Sequence, residues 1–275
     1  MTEQTTAVAP RRVRVHHLLE AKEAGRPLTM LTAYDGPTAA IFDRAGTDML
    51  LVGDSIGNAM HGERDTLPVT LDELVIATRS VARATRRALV VADLPFGSYE
   101  ASPEQGFASA VRLMKEGAAH AVKLEGGARM VPLVELLTSA GIPVVGHLGF
   151  TPQSENLLGG KRVQGRGDEA AEQLCQDALA LQDAGAVAVV VEMVPAPVAA
   201  RMTEILRIPT IGIGAGLDCD GQVLVWLDMA GMGDWSPKFA KAFGQVGKAL
   251  EDAARAFGDE VRSKTFPDAS HSFES

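Results

Sequence analysis

Cysteine is nearly absent: Cys175 and Cys219 are the only two in 275 residues, and their spacing fits neither a disulfide framework nor a zinc-ligand pair. Cys175 falls in a helical pattern and Cys219 in a loop, and both are expected as ordinary reduced thiols. Aromatic residues are also scarce, at 5%, so the core has to be built from Ala, Val and Leu, a composition suited to parallel strands covered by helices. Long apolar runs are missing too. The most apolar stretch, 184–200, carries Glu192 in its middle, and the first fifteen residues lack the apolar segment of a signal peptide. Positive charge is sparse. The net charge is -9 and the basic residues are scattered apart from Arg11, Arg12 and Arg14, which leaves no extended basic surface for a phosphate backbone. These absences predict a cytoplasmic protein that binds neither nucleic acid nor membrane. They also fit a disordered extension over residues 1–13 and a single domain over 14–275.

What is present is a repeat. The stretches 43–54, 115–126, 138–147 and 182–193 each run from the end of a helical pattern through a glycine into a short aliphatic segment. The glycine supplies the left-handed residue that stops the helix, and the segment after it is short enough for a strand. Strands are expected at 28–34, 48–54, 88–93, 120–125, 143–148, 186–192, 209–215 and 222–228. Helices are expected at Leu71–Thr85, Pro103–Glu116, Asp168–Ala184 and Pro237 to Phe257, with Asp168 as the cap of its helix. Eight alternating units predict a closed (β/α)8 TIM barrel. A doubly wound open sheet is the lesser alternative, because no Gly-x-Gly-x-x-Gly follows the first strand.

In such barrels the chemistry lies at the carboxyl ends of the strands. Strand 2 runs into Asp54-Ser55, strand 3 ends in Asp93, strand 4 contains Lys123 and Glu125, and strand 6 ends in Glu192. Asp54, Asp93 and Glu125 are spaced by about one βα unit each, so adjacent strands deliver three carboxylates to one side of the barrel mouth. Two carboxylates about 4 Å apart repel by ~4 kcal/mol at an effective dielectric near 20. Three therefore need protons, basic partners or a cation. All-oxygen ligation favours Mg²⁺, with Mn²⁺ as a substitute; a purely structural carboxylate cluster is the alternative. Lys123 shares the strand face of Glu125 and serves either a substrate carboxylate or the acidic cluster itself. Ser55 is read equally as a donor to a bound anion or as a helix cap. Glu192 ends an otherwise apolar strand, which makes it a candidate general base, and His147 closes strand 5 with its role open. The glycines of 212–216 fit either a phosphate site or close packing.

Taken in order, VGDSIGNAMHGERDTLPVT (52–70), ADLPFGSY (92–99), VKLEGG (122–127), GHLGFTPQS (146–154), GGKRVQGRGDEA (159–170) and IGIGAG (211–216) resemble the ketopantoate hydroxymethyltransferase family. The resemblance runs from about Arg14 to the terminal FPDASHSF. It implies a barrel of the phosphoenolpyruvate-binding superfamily, a Mg²⁺ cofactor and a homodecamer. It further implies transfer of a hydroxymethyl group from 5,10-methylenetetrahydrofolate to 3-methyl-2-oxobutanoate, on the route to pantothenate. By motif it assigns Asp54, Asp93 and Glu125 as metal ligands. Ser55 and Lys123 become substrate contacts, with Asp54 and Asp93 reaching the substrate through the metal, and Glu192 becomes the proton acceptor. Two other readings compete. A lyase or mutase of the same superfamily would typically carry Lys-Lys-Cys-Gly-His, and neither cysteine here is followed by Gly-His. A non-catalytic barrel that senses a metal or folate leaves Glu192 without a purpose.

Overall fold

The computed structural model describes residues 11–273. Its first unit, through Leu224, alternates helix and strand: α1 (Val15–Glu23), β1 (Leu28–Thr32), α2 (Gly36–Arg44), β2 (Met49–Val52), α3 (Leu71–Ala84), β3 (Leu89–Asp93), α4 (Pro103–Lys115), β4 (Ala121–Glu125), α5 (Val131–Ser139), β5 (Val144–Gly149), a single turn α6 (Glu155–Leu158), α7 (Asp168–Asp183), β6 (Ala188–Glu192), α8 (Ala196–Ile205), β7 (Thr210–Ile213) and β8 (Gly221–Leu224). All eight strands pair in parallel and in chain order, and β8 closes on β1 through Leu28 to Leu31. The expected closed barrel is therefore formed and the open sheet is not.

The interior follows from the twofold strand period. Met30, Met49, Leu51, Leu89, Val91, Ala121, Val145, Ala188, Val190, Ile211 and Val223 fill it with aliphatic side chains, as a barrel core requires. The intervening residues point outward under the helices, and they too are buried, for example Leu50, Val90, Val122 and Val189. Both parities are thus apolar, which is why the strands read as continuous runs rather than alternations.

Several boundaries differ from the expectation. β8 stops at Leu224, and Trp226–Ala230 forms a short helix, α9, where the strand was expected to continue. Four residues suffice to close the barrel against β1, so pairing ends there. The final helix, α10 (Val246–Ser263), starts nine residues after Pro237. Before it Phe243 donates its N–H to the Met229 carbonyl at 2.8 Å, a contact that a helix from Pro237 would prevent. Together with a turn at Ala269–His271, α9 and α10 make up the second unit, Val225 onward. Asp168 does not cap α7. Gly167 takes that position with φ 84°, and Asp168 with Glu169 places negative charge in the first turn, which favours the helix dipole. The extension expected over 1–13 falls mostly outside the described residues. Of its last members, Arg12 donates to the Thr85 and Ala88 carbonyls, and Val13 donates to Arg87, so the packed chain starts before Arg14. Among the described residues no helix is long and apolar enough to cross a membrane.

One buried carboxylate fixes where β3 begins, and hence where its far end places Asp93. Asp43, on α2, accepts the N–H groups of Arg86, Arg87 and Ala88 at 2.7–3.2 Å. Burial raises its pKa, but these donors and the nearby Arg12 outweigh burial and hold the carboxyl below its ordinary range. Asp43→Ala is expected to cost about 2–3 kcal/mol in urea unfolding at neutral pH, because the donors are left without an acceptor. A group with a lowered folded pKa stabilises above its ordinary value and loses that contribution as pH falls. The gap between variant and parent should therefore narrow below about pH 4, and a gap that stays constant would remove the charge from the account.

Candidate active site

The strand period that fills the lower barrel with apolar side chains brings polar ones to its carboxyl end. Val91, Ala121, Val145 and Val190 belong to the interior, and the next residues on the same faces are Asp93, Lys123, His147 and Glu192. Glu125 follows Lys123 by the same step. Register sets these residues side by side: Asp93 pairs with Lys123, Glu125 with His147, and Glu192 with Gly149. Gly149 has φ 91°, and a Cβ there would lie 2.2 Å from the Glu192 carbonyl oxygen, so only glycine admits this approach. Directly after Glu192 the chain turns at Met193, whose φ of 48° is uncommon for a residue with a side chain. Hydrogen bonds to Ile213 and from Gln164, both 2.9 Å, hold that turn.

The three carboxylates are brought into one buried cluster. Asp54, just past β2, donates its N–H to Asp93 Oδ2 at 3.0 Å. Lys123 Nζ lies 3.0 Å from Asp93 Oδ1 and 3.3 Å from His147 Nδ1. His147 links the cluster to its rim, with Nδ1 3.2 Å from Glu125 Oε1 and Nε2 3.3 Å from Glu192 Oε2. The side chains of Asp93, Lys123, Glu125 and His147 keep 4% or less of their exposure, whereas Glu192 keeps 16%. Glu192 is therefore the member that solvent and a ligand can reach.

Burial and mutual repulsion shift the charges. Burial, then Asp93 and Glu125, push Asp54 up to about 8. Burial also raises Asp93, and Lys123 only partly offsets it. Burial works against Lys123, yet the carboxylates of Asp93, Glu125 and Asp54 win and hold its ammonium above the usual lysine range. For Glu125 burial is outweighed by His147 and Lys123, and its carboxyl sits below the ordinary range. Burial and Lys123 depress His147, but Glu125 and Glu192 raise it to about 9.

The donor set fits a hard divalent cation. Three carboxyl groups share one buried cluster, and all of their donor atoms are oxygens. Asp93 Oδ1, Glu125 Oε1 and His147 Nε2 are buried without an aligned hydrogen bond, although each has a charged neighbour within 3.3 Å. Among the described residues no group of three His, Cys, Asp or Glu side chains has the spacing of a formed metal site. Lys123 and Gln153 are interleaved with the carboxylates instead.

Ser55 is no helix cap; its Oγ and the Tyr34 hydroxyl are 2.8 Å apart beside the cluster. The glycines of 212–216 serve close packing, since a Cβ on Gly212 would meet Cys219 Sγ at 2.9 Å and one on Gly216 would meet Ala196 at 2.5 Å. Three site residues escaped the sequence reading: Tyr34, Tyr99 and Gln153. The tyrosines carried a signal, because they are the only two in the chain and each follows a strand end. Gln153 carried none beyond its place after β5.

Asp54 and His147 both have raised folded pKa values, so each stabilises below its ordinary value and loses that contribution as pH rises through about 8 and about 9. Without metal, the unfolding temperature is expected to fall by at least a few degrees between pH 6.5 and 9. A divalent cation in excess should flatten that fall, because it favours ionised Asp54 and binds only the folded state. Calorimetric scans across this window check both statements, and equal slopes with and without Mg²⁺ would contradict the second.

Known proteins match this chain over nearly its whole length. A family model described as ketopantoate hydroxymethyltransferase matches residues 12–269. The chain is 59% identical to the 3-methyl-2-oxobutanoate hydroxymethyltransferase of Rhodococcus jostii, covering 97% of this chain and 92% of the relative. It is 60% identical to the enzyme of the same name from Saccharopolyspora erythraea, covering 96% and 90%. Among solved structures, the barrel resembles phosphoenolpyruvate phosphomutase from Streptomyces platensis subsp. rosaceus at TM-score 0.61 and 15% identity, over 91% of this chain and 88% of that one. It resembles phosphonopyruvate hydrolase, solved with oxalate and Mg²⁺, at TM-score 0.61 and 13% identity, over 94% and 92%. At those identities the structural likeness speaks to the fold alone, while the sequence matches span nearly the whole chain. The chain therefore belongs to the ketopantoate hydroxymethyltransferase family, a family of transferase enzymes.

Proposed function

We propose that this chain transfers a hydroxymethyl group from 5,10-methylenetetrahydrofolate to 3-methyl-2-oxobutanoate, giving 2-dehydropantoate for pantothenate synthesis, with Mg²⁺ or Mn²⁺ held by Asp54, Asp93 and Glu125. The observation that supports it most is the pairing of a buried carboxylate cluster with one partly exposed carboxylate, Glu192, linked to it through His147. When bound, the cation would supply Lewis-acid polarisation to the oxo acid.

The protein's own groups account for the rest. Glu192 accepts the proton from C3 of the oxo acid, which must sit within hydrogen-bond reach of its carboxylate. His147, beside Glu192 Oε2 at 3.3 Å, orients that carboxylate. Lys123 keeps a positive charge in a pocket where water screens poorly, so it favours negative charge developing on the substrate. Ser55 and Lys123 contact the oxo acid. C3 bonds to the one-carbon unit of the donor, water supplies the hydroxyl oxygen as the unit's two carbon–nitrogen bonds break, and tetrahydrofolate leaves with the C3 proton and one proton of the water on its nitrogens. A cytoplasmic location and assembly as a homodecamer belong to the same reading.

Glu192→Gln should leave Mg²⁺ affinity within about twofold while deuterium exchange at C3 of the oxo acid, measured without folate, falls by about 10²-fold or more. Unchanged exchange would remove Glu192 from the mechanism. Asp93→Asn should weaken Mg²⁺ binding in calorimetry by at least the ~10–100-fold typical of a neighbouring support residue, and an unaltered isotherm would argue against Asp93 as a ligand. A turnover assay with oxo acid, folate donor and Mg²⁺ separates this transferase from a lyase or a binding protein.

A further inference from the structure

Two of the three carboxylates are tied by residues that carry no charge. Gln153 follows β5 and is buried. Its Nε2 donates to Asp54 Oδ2 at 2.8 Å and to the Leu94 carbonyl at 3.0 Å. Its backbone N–H donates to Glu125 Oε2 at 3.0 Å. Its Oε1 accepts the Tyr99 hydroxyl at 2.5 Å. That hydroxyl in turn accepts the N–H of Glu125 at 3.2 Å, and its single proton goes to Gln153 rather than to the Glu125 carbonyl 3.5 Å away. The Leu94 carbonyl can only accept, which fixes the nitrogen end of the amide toward Leu94 and Asp54. Every polar atom of the Gln153 side chain is committed, and only one orientation satisfies them all.

We propose that Gln153, oriented by Tyr99, is a positioning residue for the cation site. It holds one oxygen of Asp54 and one of Glu125, and it leaves Oδ1 of Asp54 and Oε1 of Glu125 outside the tie. Two facts argue that this is more than anchoring of the 150–158 segment. First, a loop anchor needs one partner, whereas Gln153 reaches carboxylates on two different βα units, 99 and 28 residues away in sequence. Second, the tie is neutral. Asp54 and Glu125 repel one another, and Glu125 helps to raise Asp54. A basic side chain in this place would put a positive charge on Asp54 and would compete with a divalent ion, whereas the side-chain amide on Asp54 and the backbone N–H on Glu125 restrain both without adding a charge. Lys123 already supplies the fixed positive charge at Asp93.

Tyr99 and Gln153 also line a cavity of about 480 Å³ together with Leu148, Leu174 and Asp177. Leu148 follows the inward-facing His147, so it lies on the outer face of β5, and α7 carries Leu174 and Asp177. Tyr99 and Gln153 both border this cavity, so informative variants must preserve volume.

The inference rests on the proposed function only for the existence of a cation site. The test is calorimetric titration of metal-free protein with Mg²⁺, using Gln153→Met, which keeps length without hydrogen bonds, and Tyr99→Phe, which removes one hydroxyl. Both are expected to raise the Mg²⁺ dissociation constant, by about 10–100-fold for Gln153→Met and by less for Tyr99→Phe. With Asp54→Asn present, the added effect of Gln153→Met should shrink, since the two act through one contact. In turnover, the Mg²⁺ concentration for half activity should rise. Affinity within twofold of the parent in either folded variant, or full additivity with Asp54→Asn, overturns the proposal. If Gln153→Met does not fold, Tyr99→Phe carries the test alone. Failure of the parent protein to bind any divalent ion would instead overturn the cation site and this inference together.

Discussion

The mutual repulsion of Asp54, Asp93 and Glu125, buried at the carboxyl end of the barrel, is the constraint on which the remaining structure turns. Burial raises Asp54 and Asp93 together, and the fold answers with one ammonium, one imidazole and one amide. Lys123 faces Asp93, His147 faces Glu125, and Gln153 takes an oxygen from two of the acids. These partners restrain the cluster without silencing it. Replacing the acids by apolar side chains would relieve the repulsion, so their retention marks a place where stability is given up for chemistry.

The barrel makes such a concentration of charge tolerable. Below the cluster the same strand faces carry Val91, Ala121, Val145 and Val190, an aliphatic plug that supplies cohesion independent of the polar layer. The strand ends are then free to present functional groups, and register decides which become neighbours. Shifting β4 by one residue would exchange Lys123 and Glu125 for Leu124, and the cluster would lose both a charge and its compensation. Asp43, far from the site, matters for that reason: it pins the start of β3 and so the height at which Asp93 emerges.

His147 gives the site its continuity. Its two ring nitrogens face Glu125 and Glu192, so the carboxylate at the rim and the carboxylate in the interior share one imidazole. The protonation of that ring, raised to about 9 by the two acids, depends on both and influences both. The residue left open in the sequence is therefore the bridge between a buried electrostatic cluster and the partly exposed carboxylate of Glu192.

The repeat of helix, glycine and aliphatic strand was legible without coordinates, because strand and helix periods and glycine stops are local properties of the chain. So was the placement of Asp93, Lys123, Glu125 and Glu192 on inward faces at strand ends, since parity along a strand needs no partner; Asp54, two residues past β2, is set instead by its N–H bond to Asp93. The sequence motifs carried the family for the same reason. What only the closed barrel decided is who meets whom. Gln153 and Asp54 are 99 residues apart, Ser55 turned to Tyr34 rather than to a helix end, and the last strand stopped after four residues once β1 was paired. Those outcomes depend on register and closure, where the free energy of a contact is set by what another segment places opposite it, and no local pattern carries that information.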